Sequence, residues 1–324
     1  MLRKLLRRRA PAMPYDLFDA APSETAARQA EKLSRLYHTG QEKAWDGRAV
    51  LASLIEAHGR APIPERERRA LHRVFTGILW GELAAWKISA ELADELTNVD
   101  AKLAATAQVH DEARHFYVLR DYLEWLGGPT PPPGPAARAV FDGVLHADQM
   151  VKKLLGMQLL IEPMALSLFQ VVQRRRLEPV LSDLLTYYQK DEARHVALGV
   201  LHLPQLMRGL SKSALADLYL WQIRQYLREF DLIREYSVDF EILGVSPRQL
   251  VNVGRDKQLL ALRELASEFG GDLPAVDLMR RVVDFRTELD FPAEGEPRDF
   301  RSRLRRAIRA AAGRMVIHEV ALAG

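Results

Sequence analysis

The chain contains no cysteine. Disulfides, thiolate zinc sites and iron–sulfur ligation are excluded, and a reducing compartment is the fitting one. No stretch approaches the roughly eighteen uninterrupted apolar residues that would read as a membrane span. The short basic segment Met1 to Arg9 is not followed by an apolar region long enough for a secretory signal, so a cytoplasmic location is expected. No glycine-rich dinucleotide fingerprint appears, and any flavin or nicotinamide chemistry would have to come from another protein. No convincing strand is present either. The net charge is only +3 over 324 residues. Its basic residues cluster at Arg3 to Arg9, Arg174 to Arg176 and Arg298 to Arg314, with no nucleic-acid module beside them. These read as solvated faces or as a docking surface for an acidic protein.

What is present is a duplication. Asp111-Glu112-Ala113-Arg114-His115 recurs letter for letter as Asp191-Glu192-Ala193-Arg194-His195. Each copy has a glutamate thirty positions before its own, Glu82 and Glu162. Solvated charge faces have no reason to repeat at matched offsets. With Glu82 mid-helix, the chain descends roughly 21 Å to Leu96 and climbs back about 18 Å to Glu112, at about 1.5 Å per residue. Thr97-Asn98-Val99-Asp100 reads as the turn, with Asp100 as N-cap. Glu162 runs down to Arg174-Arg175-Arg176, and Glu178-Pro179 opens the return helix to Glu192. Glu112 and His115 share a helix face at i, i+3, as do Glu192 and His195. Two such hairpins, packed together, aim six groups into one core.

Four buried carboxylates repel one another unless cations compensate them, and two divalent ions cancel their charge. Glu82, Glu112, His115, Glu162, Glu192 and His195 are therefore the candidate metal ligands. One imidazole per metal in a carboxylate-rich set suits iron or manganese. A ligating histidine passes its second N–H to a carboxylate. Asp111 and Asp191 are the natural acceptors, each serving the histidine of the opposite hairpin, with Arg114 and Arg194 neutralising them.

Helices are expected at Ser23 to Tyr37 and Asp46 to His58, separated by Thr39-Gly40. Core helices follow at about Arg66–Leu96, Asp100–Leu126, Ala147–Arg175 and Pro179–Leu203. The Gly/Pro-rich stretch 127–135 breaks the chain between the hairpins, with a short helix over Ala136 to Leu145. Further helices are expected at Ser211–Val238, Pro247–Phe269, Pro274–Leu289 and Arg298–Leu322. This gives an all-α chain in three parts: an N-terminal extension (1–60), a di-metal four-helix core (61–208) and C-terminal helices (209–324). Pro163, directly after Glu162, should bend or bulge its helix. Residues one turn from the ligands are the candidate cavity wall: Ile78, Leu79, Ala85, Trp86, Gln108, Phe116, Gln158, Leu159, Ala165, Leu166 and Phe169. Tyr188, one turn before Glu192, is placed to hydrogen-bond at the metals or supply an electron, unless it is simply a core tyrosine.

Two copies of Glu-x(28)-Asp-Glu-x-Arg-His resemble the signature of the ferritin-like di-iron carboxylate superfamily, over roughly Leu71 to Leu203. The form is most similar to hydroxylase subunits of bacterial multicomponent monooxygenases and to related di-iron N-oxygenases. The resemblance implies a four-helix bundle with additional N- and C-terminal helices, two iron ions (or a manganese–iron pair) bridged by Glu112 and Glu192, and dioxygen as co-substrate. It further implies a separate electron donor such as a ferredoxin, a small or carrier-tethered organic substrate, and a homodimer. Markers of specialised relatives are absent. Leu119 stands at the radical tyrosine place of reductase small subunits, and Ala84 and Met157 at the crosslink places of ligand-binding oxidases. Tyr188 stands where p-aminobenzoate N-oxygenases have a third histidine, and Leu166 at the threonine place of multicomponent hydroxylases. The expected activity is hydroxylation, desaturation or N-oxygenation of a lipophilic or aromatic molecule, with Trp86, Phe116 and Phe169 beside the metals. Radical-generating or self-modifying oxidase, then ferroxidase, are the alternatives.

Overall fold

The computed structural model describes residues 24–267 and 274–313, and these are helical with no strand among them. The basic start Met1 to Arg9 and the stretch from Arg314 to Leu322 lie outside the described residues. The helices run α1 (Glu24–Glu42), α2 (Gly47–His58), α3 (Glu65–Glu95), α4 (Val99–Leu126), α5 (Pro135–Leu145) and α6 (Met150–Gly156). They continue with α7 (Glu162–Arg175), α8 (Pro179–Met207), α9 (Lys212–Glu235), α10 (Ser237–Ile242), α11 (Pro247–Ser267), α12 (Pro274–Asp290) and α13 (Phe300–Ala312). A π-helical turn, Met157–Ile161, joins α6 to α7. Helices α3 and α4 form one hairpin, and α6–α7 with α8 form the other.

Caps explain where the core helices begin. Asn98, not Asp100, caps α4, its side chain accepting from Ala101 N at 2.9 Å. Asp100 instead sits in the first turn, where its charge suits the helix dipole. Glu178 caps α8 by accepting from Leu181 N at 2.7 Å, and Tyr122 Oη donates to the same carboxylate at 2.9 Å. Pro179 follows at N1, where no amide hydrogen is needed. Thr39-Gly40 does not break α1, contrary to the sequence expectation. A Cβ on Gly40 would lie 3.2 Å from Ala107 Cβ, so the glycine serves close approach of α1 to α4.

Pro163 has the expected consequence. The π turn lies immediately before it, and Glu162 N bonds to Met157 O, five residues back. The stretch Met150–Arg175 is long and apolar enough to cross a membrane by composition, yet most of it is buried within the bundle. It is a core helix carrying Glu162, not an exposed span. Helices α9 and α11 lie across the α6–α8 hairpin, and with α10 they close one side of the bundle.

Candidate metal centre

The structure brings all six predicted ligands together, each buried. Glu82, Glu112, His115 and Glu192 each offer an atom within 4.8 Å of the others, and so do Glu112, Glu162, Glu192 and His195. Glu112 and Glu192 belong to both sets. That is the arrangement two bridging carboxylates would give.

The histidines point the right way for ligation. His115 Nδ1 lies 3.1 Å from Glu192 Oε1 and 3.4 Å from Glu82 Oε2, while its Nε2 meets Asp191 Oδ2 at 3.1 Å. His195 Nδ1 lies 2.7 Å from Glu192 Oε2 and 3.1 Å from Glu112 Oε1, with Nε2 toward Asp111 Oδ2 at 3.4 Å. The aspartates thus cross between hairpins, as their positions in the repeat suggest. Arg114 bonds Asp111 and, at 2.9 Å, Asp191. Arg194 reaches Asp111 at 2.9 Å and Asp191 at 2.6 Å. Two aspartates and two arginines form a closed lattice behind the imidazoles, each charge shared between hairpins.

The protonation pattern shows what the site needs. Burial lifts Glu82 to about 8, and burial with the charges of Glu192 and Glu112 lifts Glu162 well above the carboxylate range. Burial also pushes Glu192 and Glu112 upward, but the histidine charges win and hold both low. Against the penalty of burial, the surrounding carboxylates raise His115 and His195 well above their ordinary value. Burial and neighbouring charge thus push Glu82, Glu162 and both imidazoles toward their protonated forms. Divalent cations would act in the opposite direction, favouring ionised carboxylates and neutral imidazoles. Among the described residues, the buried Glu112 Oε2 and His115 Nδ1 accept or donate no hydrogen bond although they lie 3.7 Å apart, and such a pair of close, unbonded donor atoms fits metal ligation.

Two glutamines act differently from the sequence expectation. Gln108 Nε2 donates to Glu112 Oε1 at 3.0 Å and to Glu162 Oε1 at 3.3 Å, and Gln158 Nε2 donates to Gln108 Oε1 at 2.9 Å. They orient carboxylates rather than line a cavity. A Cβ on Gly199 would lie 2.5 Å from Gln158 Cβ, so this glycine lets α8 approach the π turn. Tyr188 Oη donates to His115 O at 2.6 Å, and its ring stacks on that imidazole at 4.2 Å between centroids.

Trp45 is the residue that sequence reasoning missed. Its Nε1 donates to Asp191 Oδ2 at 2.8 Å, the Arg114 guanidinium lies 4.8 Å from its ring centre, and Tyr187 packs at 5.1 Å. It is half-buried, so a continuous polar path runs from near the surface through Asp191 to His115. Its signal was hidden because it precedes α2, far in sequence from the repeat.

On the other side of the glutamates lies an apolar cavity of about 80 Å³, with Glu82, Glu162 and Glu192 in its wall. Ile78, Ala85 and Ala165 line it as expected. Trp86 does not: it is 37% exposed and packs on Phe116 at 6.3 Å, facing away. Phe169 stacks on Phe75 at 6.5 Å in the core, and Leu79, Leu159 and Leu166 are likewise off the cavity. Being one turn from a ligand selects a ring around each helix, and only the sector facing α9–α11 sees the cavity. The aromatic lining is Phe141, Tyr236 and Phe240 instead.

No protein-family model matches the chain, and no curated protein matches it. Solved structures do. Protein 19 with aldehyde deformylating oxidase activity from Synechococcus aligns at TM-score 0.56 and 15% identity, covering 67% of this chain and 96% of that one. The fold is that of the ferritin-like bundle proteins. A mutant R2-like ligand-binding oxidase with an aerobically reconstituted Mn/Fe cofactor aligns at TM-score 0.45 and 16% identity, over 80% of this chain and 92% of that one. An R2-like ligand-binding oxidase after photoconversion aligns at 0.45 and 14%, over 89% and 98%.

Proposed function

We propose that this chain is a dioxygen-dependent non-haem oxidoreductase acting on a slender, largely apolar organic molecule. Two iron ions, or a manganese–iron pair, would be held by Glu82, Glu112, His115, Glu162, Glu192 and His195. The single observation that carries this is juxtaposition: two clusters of candidate ligands sharing Glu112 and Glu192 place Glu82, Glu162 and Glu192 in the wall of an apolar cavity. When bound, the metals would supply redox chemistry with dioxygen. The chain's own residues position and exclude. Gln108 fixes Glu112 and Glu162, Asp191 and Asp111 fix the imidazoles, and the lining from α3, α7 and α9–α11 keeps water from the organic molecule.

The cavity supports an organic substrate over the radical-generating or self-modifying oxidase, which needs no such space. Leu119, at the place of the radical tyrosine, argues the same way. Electrons would come from a separate donor such as a ferredoxin, entering by Trp45, Asp191 and His115. A homodimer completes the reading. Since the Synechococcus protein carries aldehyde deformylating oxidase activity in its name, aldehydes are the first substrates to test, followed by C–H and amine substrates.

Protein loaded anaerobically with Fe(II) and given a reductant should consume dioxygen in proportion to substrate converted. Conversion without dioxygen uptake, or uptake never coupled to any organic product, would overturn this reading. A large hollow assembly that mineralises iron would instead support iron handling.

A further inference from the structure

Beyond the apolar cavity lies a smaller one of about 20 Å³, lined in part by Tyr226, Glu229, Arg255 and Gln258. It contains none of the six candidate ligands, but it shares Met164, Ile233 and Leu250 with the larger cavity. These side chains are the partition between the two. Met164 is unbranched and half-buried, the residue type that yields most readily when a chain must pass. The order is therefore the clustered glutamates, apolar space, partition, and a small end pocket whose polar groups are Glu229, Arg255, Gln258 and the Tyr226 hydroxyl.

Glu229 is the unexplained group at that end. It is 5% exposed, and only one of its oxygens is engaged: Gln258 Nε2 reaches Oε2 at 3.3 Å. The same amide nitrogen is shared with Leu160 O of the π turn, at 3.2 Å. Among the described residues, Glu229 Oε1 has no hydrogen-bond partner. Nearby positive charge is already committed. Arg255 donates to Asp284 Oδ1 at 2.7 Å and pairs with Asp256 Oδ1 at 2.8 Å. A buried carboxyl with a free oxygen and no counter-charge costs stability, so its retention calls for a partner that arrives from outside. Burial lifts its carboxyl to about 8, in keeping with the lack of a cation.

A space of this size holds about one water-sized group. An ammonium fits that volume and is the one small end group that supplies both the missing hydrogen bond and the missing charge. Hydrogen bonds with an ionised partner are roughly twice as strong as neutral ones. We propose that this small cavity is an end-group subsite, and that Glu229 selects molecules whose end remote from the metal glutamates carries a primary ammonium on a slender apolar chain. Gln258 steadies the carboxylate, and Met164 gates the passage. The proposal takes from the proposed function only that the apolar cavity holds the organic molecule.

The test is calorimetric binding to the full chain without turnover, using n-alkylamines, n-alkanols and n-alkanes of equal length. The wild-type protein should bind the amine about tenfold or more tightly than the alcohol of the same chain, as a charge-assisted contact replaces a neutral one. Glu229→Gln keeps the shape, and should erase that preference. Met164→Trp, which leaves the carboxyl untouched but blocks the passage, should erase it as well. Equal affinity of amine and alcohol for the wild-type protein, failure of any amine to bind, or an amine preference that survives Glu229→Gln would each overturn the subsite. Dioxygen chemistry is not involved in the measurement. An inactive protein that still shows the Glu229-dependent preference would sink the proposed function and leave the subsite standing.

Discussion

Two of the regions that bury acidic groups in this molecule do so in opposite ways. At the centre, four glutamates, two histidines, two aspartates and two arginines are interleaved so that both histidines, both aspartates, both arginines, Glu112 and Glu192 have a partner on the other hairpin. Under α9, Glu229 stands alone with a single amide contact. The first region tolerates its charges by mutual compensation, and its two clusters are of a kind that could hold metal cations. In the second, burial favours the neutral form of the acid. Burial alone therefore does not define a site. The kind of imbalance left over says what ligand would relieve it.

The comparison breaks most visibly if the shared carboxylates are removed. Glu192→Ala or Glu112→Ala should drop metal content from two ions per chain to one or none, because each residue belongs to both ligand sets. Elemental analysis of the loaded protein measures this, and full occupancy of both positions in either variant would refute the assignment. Charge compensation would then have to be internal, as protons.

The lone carboxyl makes a second, pH-dependent prediction. Glu229 in the folded chain titrates near 8, above its ordinary value of 4.5. Below pH 4.5 both folded and unfolded chains hold the proton, and there is no penalty. As pH rises from 4.5 toward 8 the unfolded chain ionises while the folded chain does not, so stability falls, and the loss levels off above 8. Glu229→Gln removes this dependence. At about 1.4 kcal/mol per unit, the variant should gain at most about 5 kcal/mol over the wild-type chain above pH 8 and nothing below pH 4. Urea midpoints across that range provide the measurement, and parallel pH profiles for the two proteins would mean that Glu229 is compensated after all.

These regions also differ in how readily the sequence disclosed them. The centre was legible because the chain states it twice: a five-residue repeat and matched glutamates point to the six candidate ligands, the crossed aspartates and the hairpin plan. Pro163 announced the π turn for a local steric reason. The cavity was not legible, since its far wall comes from Ile233, Tyr236, Phe240 and Leu250 on helices with no repeat and no chemical signature. Trp86 and Phe116 misled because spacing along a helix gives a ring of candidates, not the sector that faces a neighbour. Trp45 and Glu229 each depend on one long-range contact, to Asp191 and to Gln258, that periodicity cannot show.

A smaller effect is expected from weakening the crossed lattice while keeping its shape. Asp191→Asn retains volume but removes the negative charge that His115, Arg114, Arg194 and Trp45 share. Metal should still bind, with affinity reduced by about 10–100-fold in competition with a chelator. Asp111→Asn should do the same through His195. Unchanged affinity in both would show that the lattice serves folding alone.

Tyr188 gives the smallest and most discriminating outcome. Its hydroxyl is committed to His115 O, and its ring lies flat on the imidazole, so the contact steadies the helix carrying a candidate ligand. Tyr188→Phe keeps the stacked ring and deletes one buried hydrogen bond, leaving the His115 carbonyl to its helical partner. A purely positioning role costs about 0.5–1.5 kcal/mol of stability, with two metals still bound and dioxygen consumed at close to the original rate. A role as electron source predicts a different pattern. Stability would change by the same amount, but a tyrosyl signal in electron paramagnetic resonance after oxygen exposure would appear in the parent chain and vanish in the variant. The direct contact with His115 makes either outcome a statement about the centre, and Glu229, in its separate cavity, should be indifferent to both.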